Sequence, residues 1–382
     1  MTPSHNSESA LARPAILQLV PSLDAGGAER TTIDVAAALA SAGYVALVAS
    51  EGGRLAGELA AAGGELIALP TASKSPVTMI ANAFALARII RARNVKLVHA
   101  RSRAPAWSGL WAAKMTGVPF VTTYHGIYNA KSAPKRFYNS AMVRGAGTIA
   151  ISQWTADHIA REYGIAPDHI TVIPRGVDLN EFNPAKISQD RIAALRTRWG
   201  VKDGELVILL PGRLTRWKGQ LVLIEALKQL NVPNIRAVLA GDAQGRDAYE
   251  TELRNAAKGL NVVIAGHVRD MAAAYLAADI VISASTDPEA FGRVAAEAGA
   301  MGRPVIATDH GGARETIIAG QTGLLTPPGD AAALARAIEQ MAAMGTEGRA
   351  RLGAAAQSHI RTNFTREKMC ADTLMVYARL LG

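Results

Sequence analysis

The chain has a single cysteine, Cys370, in 382 residues. That excludes an internal disulfide and a cysteine-based zinc cluster, and it is consistent with a reducing compartment. No run approaches the roughly 20 apolar residues needed to span a bilayer. The first residues, MTPSHNSESALARP, lack a basic stretch followed by an apolar one, so no signal peptide is expected. The expected location is the cytoplasm, free or on the inner face of the plasma membrane. Charged residues make up 19% and apolar residues 49%, which excludes a disordered chain. Aromatics are scarce at 5% while glycines number 35, a balance that favours the tight strand-to-helix turns of α/β proteins.

Acidic residues are missing from one whole interval. Between Glu65 and Asp157 there is no Asp or Glu, while Lys and Arg occur 12 times. The net charge is +9, so the rest of the chain carries 9 − 12 = −3. Ordinary surfaces intersperse both signs. A one-sign interval points to an anionic partner: a lipid headgroup, an anionic acceptor or nucleic acid. The plainer reading is a solvated face with a chance shortage of acids.

Short apolar runs alternate with helical patterns, the signature of βαβ units and parallel sheets. Strands are predicted at 16–20, 44–50, 65–70, 96–102, 119–125, 148–152 and 171–176, with helices between them. VDLNEFNP (177–184) reads as a linker stopped by Pro184. The pattern then restarts, with strands at 206–212, 236–241, 262–266, 280–285 and 304–309. Helices are predicted at about 218–230, 247–258, 270–278, 290–301 and 330–344, and a last amphipathic helix fills the tail. Two doubly wound α/β units in tandem follow. A 382-residue chain suits that number of domains. In such sheets ligands bind beyond the carboxyl ends of the strands.

Several stretches at strand ends could carry chemistry. Gly26 and Gly27 follow the first strand, where bare amides can approach an anion. The pair is not part of G-x-G-x-x-G, which argues against a dinucleotide site. His125 follows a strand in TTYHGIYN and is followed by Gly126; a structural and a site role are equally open from this stretch alone. Arg213 and Lys218, in GRLTRWKG, supply a planar fork and a point cation near a helix start, a pairing that suits a diphosphate. Two solvated loop charges are the alternative. A P-loop would need a different order.

TDPEAFGRVAAE places Glu289 in a turn and Glu297 in a run of small residues. Asp287 could cap a helix beginning at Pro288, or the helix could start nearer Phe291, leaving Glu289 in the loop with the Phe291 and Gly292 amides free. If one regular helix held both glutamates, they would lie about 12 Å apart along its axis. A glycosidase acid/base pair needs roughly 5–9.5 Å. The spacing suits two holds on an extended ligand better. The competing explanation for Glu297 is an i,i+4 ion pair with Arg293, worth only tenths of a kcal/mol.

Taken together, GGAER (26–30), His125-Gly126, GRLTRWKG (212–219), EAFGRVAAE (289–297) and TDHGGARE (308–315) stand in an order that resembles retaining GT-B glycosyltransferases of family 4, the glycosyl transferases group 1 class. The resemblance runs from about residue 15 to the end. It implies two Rossmann-like domains facing a central cleft: an acceptor-binding domain at 14–178 after a flexible tail at 1–13, and a nucleotide-sugar-binding domain at 179–365. It also implies that helix 366–382 packs back on the first domain. Arg213 and Lys218 would neutralise the donor diphosphate, with Gly26 and Gly27 approaching it. Glu297 would hold the ribose. Glu289 and the amides of Phe291 and Gly292 would hold the sugar, and His125 would face its reacting side. His310 stands where a less bulky residue is common in the resemblance.

The expected activity is transfer of a hexose from a nucleoside-diphosphate sugar, with retention, to a glycolipid or lipopolysaccharide-type acceptor. His125, Arg213, Lys218 and Glu289 are the expected catalytic residues. No D-x-D element occurs, and neither a metal nor another cofactor is expected. Arg101, Arg103, Lys131, Lys135 and Arg136 are candidates for the acceptor side, and an anionic membrane surface is an expected partner. The alternatives are a nucleotide-sugar epimerase or other enzyme on the same fold, and a nucleic-acid-binding module. The last would use aromatics interleaved with the cations: Trp107, Trp111, Tyr124, Tyr128, Phe137 and Tyr138. Nucleic acid is not the expected partner. AKSAPKRFYNSAMVRG (130–145) combines basic and apolar residues and could sit on a headgroup layer, with an ordinary surface helix as the equal alternative.

Overall fold

A computed structural model describes residues 13–24, 26–128 and 130–382. All but the last residue of the expected 1–13 tail lies outside these. The chain divides into two compact units.

Unit 1 contains the described residues up to Ala150, then Ala156–Ile173 and Cys370–Gly382. Its strands are β1 (Ala15–Leu19), β2 (Val45–Ser50), β3 (Gly64–Ala68), β4 (Val95–Ala100), β5 (Phe120–Tyr124), β6 (Gly147–Ala150) and β7 (Ile170–Val172). They form a parallel sheet in the order β3-β2-β1-β4-β5-β6-β7. Its helices are α1 (Gly27–Ser41), α2 (Ala56–Ala61), α3 (Pro76–Ala92), α4 (Arg103–Thr116) and α5 (Ala133–Asn139). Helix α6 (Gln153–Tyr163) starts in unit 2 and continues in unit 1.

Unit 2 contains Ile151–Thr155 and Pro174–Met369. It opens with α7 (Gln189–Arg198) and alternates β8 (Leu206–Pro211), α8 (Gln220–Gln229), β9 (Ile235–Ala240), α9 (Asp247–Ala256), β10 (Val262–Gly266), α10 (Met271–Ala277), β11 (Ile280–Ser283), α11 (Arg293–Ala300) and β12 (Val305–Thr308). Strand β13 (Gly323–Thr326) and helices α12 (Ala331–Ala343), α13 (Gly345–Asn363) and α14 (Arg366–Leu381) follow. The strands form a parallel sheet in the order β10-β9-β8-β11-β12-β13.

Burial on both faces explains the sequence of the central strands. In β8, Val207 and Leu209 pack into one apolar cluster while Ile208 and Leu210 pack into another. Alternate residues thus enter separate cores, which is why the run is continuously apolar and not alternating.

Each sheet reverses its winding once, between β1 and β4 in unit 1 and between β8 and β11 in unit 2. The crevice outside the carboxyl ends at such a reversal is where doubly wound sheets bind ligands.

The segment expected to be a linker is a packed part of unit 2. Val177 and Phe182 are buried in its core. Val177 donates to the Phe364 carbonyl at 2.8 Å and accepts from the Arg366 amide at 3.0 Å, and Arg366 pairs with Asp178 at 2.5 Å. The break near 178/179 therefore moves back to Pro174. Helix α14 is divided: its first four residues belong to unit 2 and Cys370 onward to unit 1.

Candidate active site

In unit 2 the loops after β8 and β11 carry the charged residues. The chain leaves β8 at Pro211, turns through Arg213 and Lys218, and enters α8 at Gln220. Gly219 makes the turn possible. Its φ is +75°, and a Cβ there would come within 1.9 Å of the Ala284 carbonyl oxygen, just past β11. Any larger residue would push the loops apart. The Thr286 amide donates to the Trp217 carbonyl at 2.7 Å, which joins the loops a second time.

The joined loops bring Lys218 to Glu289. Lys218 Nζ donates to Glu289 Oε1 at 2.7 Å, and Ser285 Oγ donates to the same oxygen at 2.5 Å. The two charged side chains are only 14% and 11% exposed, so water screens the pair weakly. Glu289 Oε2 takes no partner among the described residues. Lys218 Nζ also lies 4.4 Å from the Trp217 ring centroid. Arg213 is exposed on the same loop. His310 Nε2 donates to the Ser285 carbonyl at 2.9 Å, so its ring steadies the residue that holds Glu289.

Helix α11 begins at Arg293, with Gly292 as its cap at φ +85°. The helix therefore starts after Phe291, not at Pro288. Glu289 lies in the loop, and the helical spacing of 12 Å between the glutamates does not apply. A Cβ on Gly292 would meet Ala313 Cα at 2.6 Å. The Phe291 ring is buried against Phe364, leaving only its main chain for a ligand. The Phe291 and Gly292 amides donate to no acceptor among the described residues.

Glu297 is buried, and both of its carboxylate oxygens accept hydrogen bonds. Its Oε1 accepts from Arg293 Nη2 at 2.7 Å and Nε at 3.1 Å, and its Oε2 accepts from the Tyr275 hydroxyl at 2.9 Å. The i,i+4 pair with Arg293 is thus formed, and burial has an explanation without a ligand. Burial, and then Glu297, holds the Tyr275 hydroxyl pKa well above its ordinary value, so Tyr275 remains a donor. Tyr275 and Ser285 were not singled out from sequence. Both lie in apolar or small-residue runs, and only their polar atoms hint at a role.

In unit 1, Gly26 is exposed in extended backbone and Gly27 opens α1. His125 follows β5 directly. Beneath it lies a buried polar network. His99 contacts the Tyr377 hydroxyl through Nδ1 at 2.5 Å and Thr123 Oγ1 through Nε2 at 2.7 Å. Burial holds its pKa well below the ordinary imidazole value, with Arg101 and His125 adding to the shift, so His99 is neutral.

Arg101 departs from the acceptor-surface expectation. It is 2% exposed, and its Nε donates to Gln18 Oε1 at 2.6 Å. Burial lowers its pKa, although a guanidinium stays charged at neutral pH. Arg103 is half-buried; it donates to Asn139 Oδ1 at 3.1 Å and lies 4.1 Å over the Tyr128 ring. Lys131, Lys135 and Arg136 are exposed. Arg136 pairs with Glu162 at 3.4 Å, an acid from outside the acid-free interval. The interleaved aromatics do not form a base-stacking platform. Trp107 and Tyr124 are buried, and among the six only Phe137 is largely exposed.

Known proteins supply the frame for this geometry. Residues 25–181 match Glycosyltransferase Family 4, and residues 192–359 match Glycosyl transferases group 1. A D-inositol 3-phosphate glycosyltransferase of Xylanimonas cellulosilytica is 34% identical over 74% of this chain and 72% of its own length. A crystal structure of a glycosyltransferase from Rickettsia africae superposes with a TM-score of 0.90 at 37% identity, covering 97% of this chain and 99% of that one. Anabaena HepE in complex with UDP superposes with a TM-score of 0.85 at 28% identity, covering 96% of this chain and 100% of that one. HepE with UDP-glucose gives 0.79 at 29%, covering 95% and 99%. With two Rossmann-like parallel sheets, both family matches and these relatives, the chain belongs to the family 4 glycosyltransferases of the GT-B fold.

Proposed function

We propose that the enzyme transfers a hexose, with retention, from a nucleoside-diphosphate sugar to a glycolipid or lipopolysaccharide-type acceptor at the cytoplasmic membrane face. The observation that carries the donor half is the Lys218–Glu289 pair at the β8/β11 reversal. One cation and one carboxylate there match the two ends of a diphosphate-linked sugar. Arg213 and Lys218 neutralise the diphosphate, whose charge rises as it leaves. Glu289 Oε2 and the amides of Phe291 and Gly292 hold the sugar hydroxyls. Glu297, kept rigid by Arg293 and Tyr275, holds the ribose. UDP and UDP-glucose, the molecules bound to HepE, are the first donors to test.

In the chemical step the acceptor oxygen bonds to the anomeric carbon and the bond from that carbon to the β-phosphate oxygen breaks. The acceptor proton passes to the departing phosphate on the same face, so the configuration is kept. Arg213 and Lys218 supply the charge that a bound metal would otherwise provide.

The acid-free interval favours an anionic acceptor, with Lys131 and Lys135 as exposed contacts. A second reading comes from the relative named for D-inositol 3-phosphate, a soluble anionic polyol. Mass spectrometry of products from UDP-hexoses, offered with envelope lipid extract or inositol phosphate, separates the two. A sugar-bearing lipid supports the first reading and a sugar-bearing polyol the second. An epimerised donor without transfer would overturn both.

A further inference from the structure

The first three turns of α3 are apolar on both sides. Met79 and Leu86, and Ile90 one turn further on, pack into the unit 1 core. On the opposite side Val77, Ile80 and Phe84 are 77%, 49% and 60% exposed. A helix that is apolar all round is normally buried all round. The spacing puts these three on one stripe, which continues into the exposed Arg88 and Arg91.

Helix α4 completes the feature. Ile80, Ala83, Phe84, Trp111 and Met115 line a groove of about 460 Å³, with Lys114 as its one polar residue. Arg91 Nη2 donates to the Met115 carbonyl at 3.0 Å, which fixes a cation at the groove's end. Trp111 touches Trp107 at 5.5 Å between centroids, and Trp107 stacks on Phe137 at 5.2 Å. A chain of rings thus joins the groove to the exposed Phe137 of α5. Neither α3 nor α4 contains an acid, and together they carry Arg88, Arg91, Arg103 and Lys114.

We infer that this α3–α4 face seats in an anionic lipid leaflet, with Val77, Ile80 and Phe84 among the upper acyl carbons and the cations at phosphate depth. The leaflet is favoured over a second copy of the chain by charge. A two-fold contact would set these cations against themselves, and neither helix carries an acid to offset them. An anionic interface takes up the apolar stripe and neutralises its rim together. The inference sharpens the glycolipid reading by naming the docking face, and it shifts that face from residues 130–145 to α3 and α4. Lipid binding can be measured without transfer, so the two can fail separately.

The test is vesicle flotation of the full chain, with phosphatidylcholine alone or mixed with phosphatidylglycerol. The expected result is flotation on the mixed vesicles at low salt, weakening as salt rises. Phe84→Ser should lower partitioning about tenfold or more. Lys114→Ser should lower it about fivefold, and Phe137→Ser less than Phe84→Ser. Both α3 test residues, Ile80 and Phe84, are exposed, and melting curves check that the variants remain folded. Absence of flotation at low salt would overturn the inference, as would flotation unchanged by Ile80→Ser and Phe84→Ser. A dimer in sedimentation velocity that Phe84→Ser dissolves, without flotation, would assign the face to a second copy. UDP binding by calorimetry, run in parallel, tests the donor reading independently.

Discussion

The two units share a winding plan but fill its reversal point differently. In unit 2 the loops after β8 and β11 meet, and a cation and a carboxylate neutralise each other at 2.7 Å. In unit 1 a buried neutral imidazole, His99 of β4, is held by Thr123 of β5 and Tyr377 of α14, and the buried Arg101 just past β4 is held by Gln18 of β1 and not by a carboxylate in hydrogen-bond contact. On the proposed function, unit 2 exchanges one ionic partner for another: a diphosphate takes Lys218, and sugar hydroxyls take Glu289. Unit 1 is built to stay as it is, with its ionic capacity on exposed helices instead. On the proposed function, the same topology carries a polyanion-and-sugar site in one half and a buried polar network in the other.

That contrast can be broken experimentally. The largest effect is expected at Lys218. Lys218→Ala should lower kcat/KM for transfer by about 10²–10³, the usual cost of removing a preorganised charge at a leaving group. Steady-state kinetics with the active donor checks it, and a loss below fivefold would detach Lys218 from the chemistry.

Gly219→Ala comes next. A residue with φ +75° and no room for a Cβ should cost about 1–3 kcal/mol in unit 2. Urea unfolding would show it, and an unchanged midpoint would mean that the β8 and β11 loops separate at no cost.

A smaller effect is expected in unit 1. The pKa of His99 is depressed in the fold, so the unfolded chain binds the proton more readily. Stability is then unaffected above about pH 6.5 and falls below it, by up to about 1.4 kcal/mol per pH unit from this one group. Denaturation at stepped pH should show that slope, and His99→Gln should flatten it between about pH 6.5 and 5. An identical slope in the variant would remove His99 from the account.

The smallest effect expected is that of chelation. If Arg213 and Lys218 carry the leaving-group charge, EDTA should change the rate of transfer by less than about twofold. Abolished activity, restored by Mg²⁺ or Mn²⁺, would show that the two cations do not suffice.

The sheets were legible because their strands are concentrated apolar runs with turn residues behind them, as in LVILLPG. Strand β13 was not: GLLT is four residues long and begins with glycine. Helix α13, GTEGRARLGAAAQSHIRTN, was missed because three glycines interrupt its pattern. VDLNEFNP was misread because its polar composition conceals the buried Val177 and Phe182. At the site, the residue types and their strand-end positions were readable, since Arg213, Lys218 and Glu289 all follow apolar strands. The Lys218–Glu289 contact was not, because it joins residues 71 apart through a glycine turn. The burial of Arg101 was equally hidden: KLVHARS reads as a strand running out to a charged surface, and the inward guanidinium is explained by Gln18, Tyr377 and the nearby charge of Asp34, all distant in sequence.

The central claim is that a nucleoside diphosphate binds unit 2 through Arg213 and Lys218, and calorimetry with UDP and uridine tests it most directly. The account predicts that the Arg213→Ala, Lys218→Ala double variant loses about 10²-fold or more in UDP affinity, as expected for two charge-assisted contacts, while any uridine affinity stays within twofold of the wild-type value. UDP binding equal to that of the wild-type chain would contradict it.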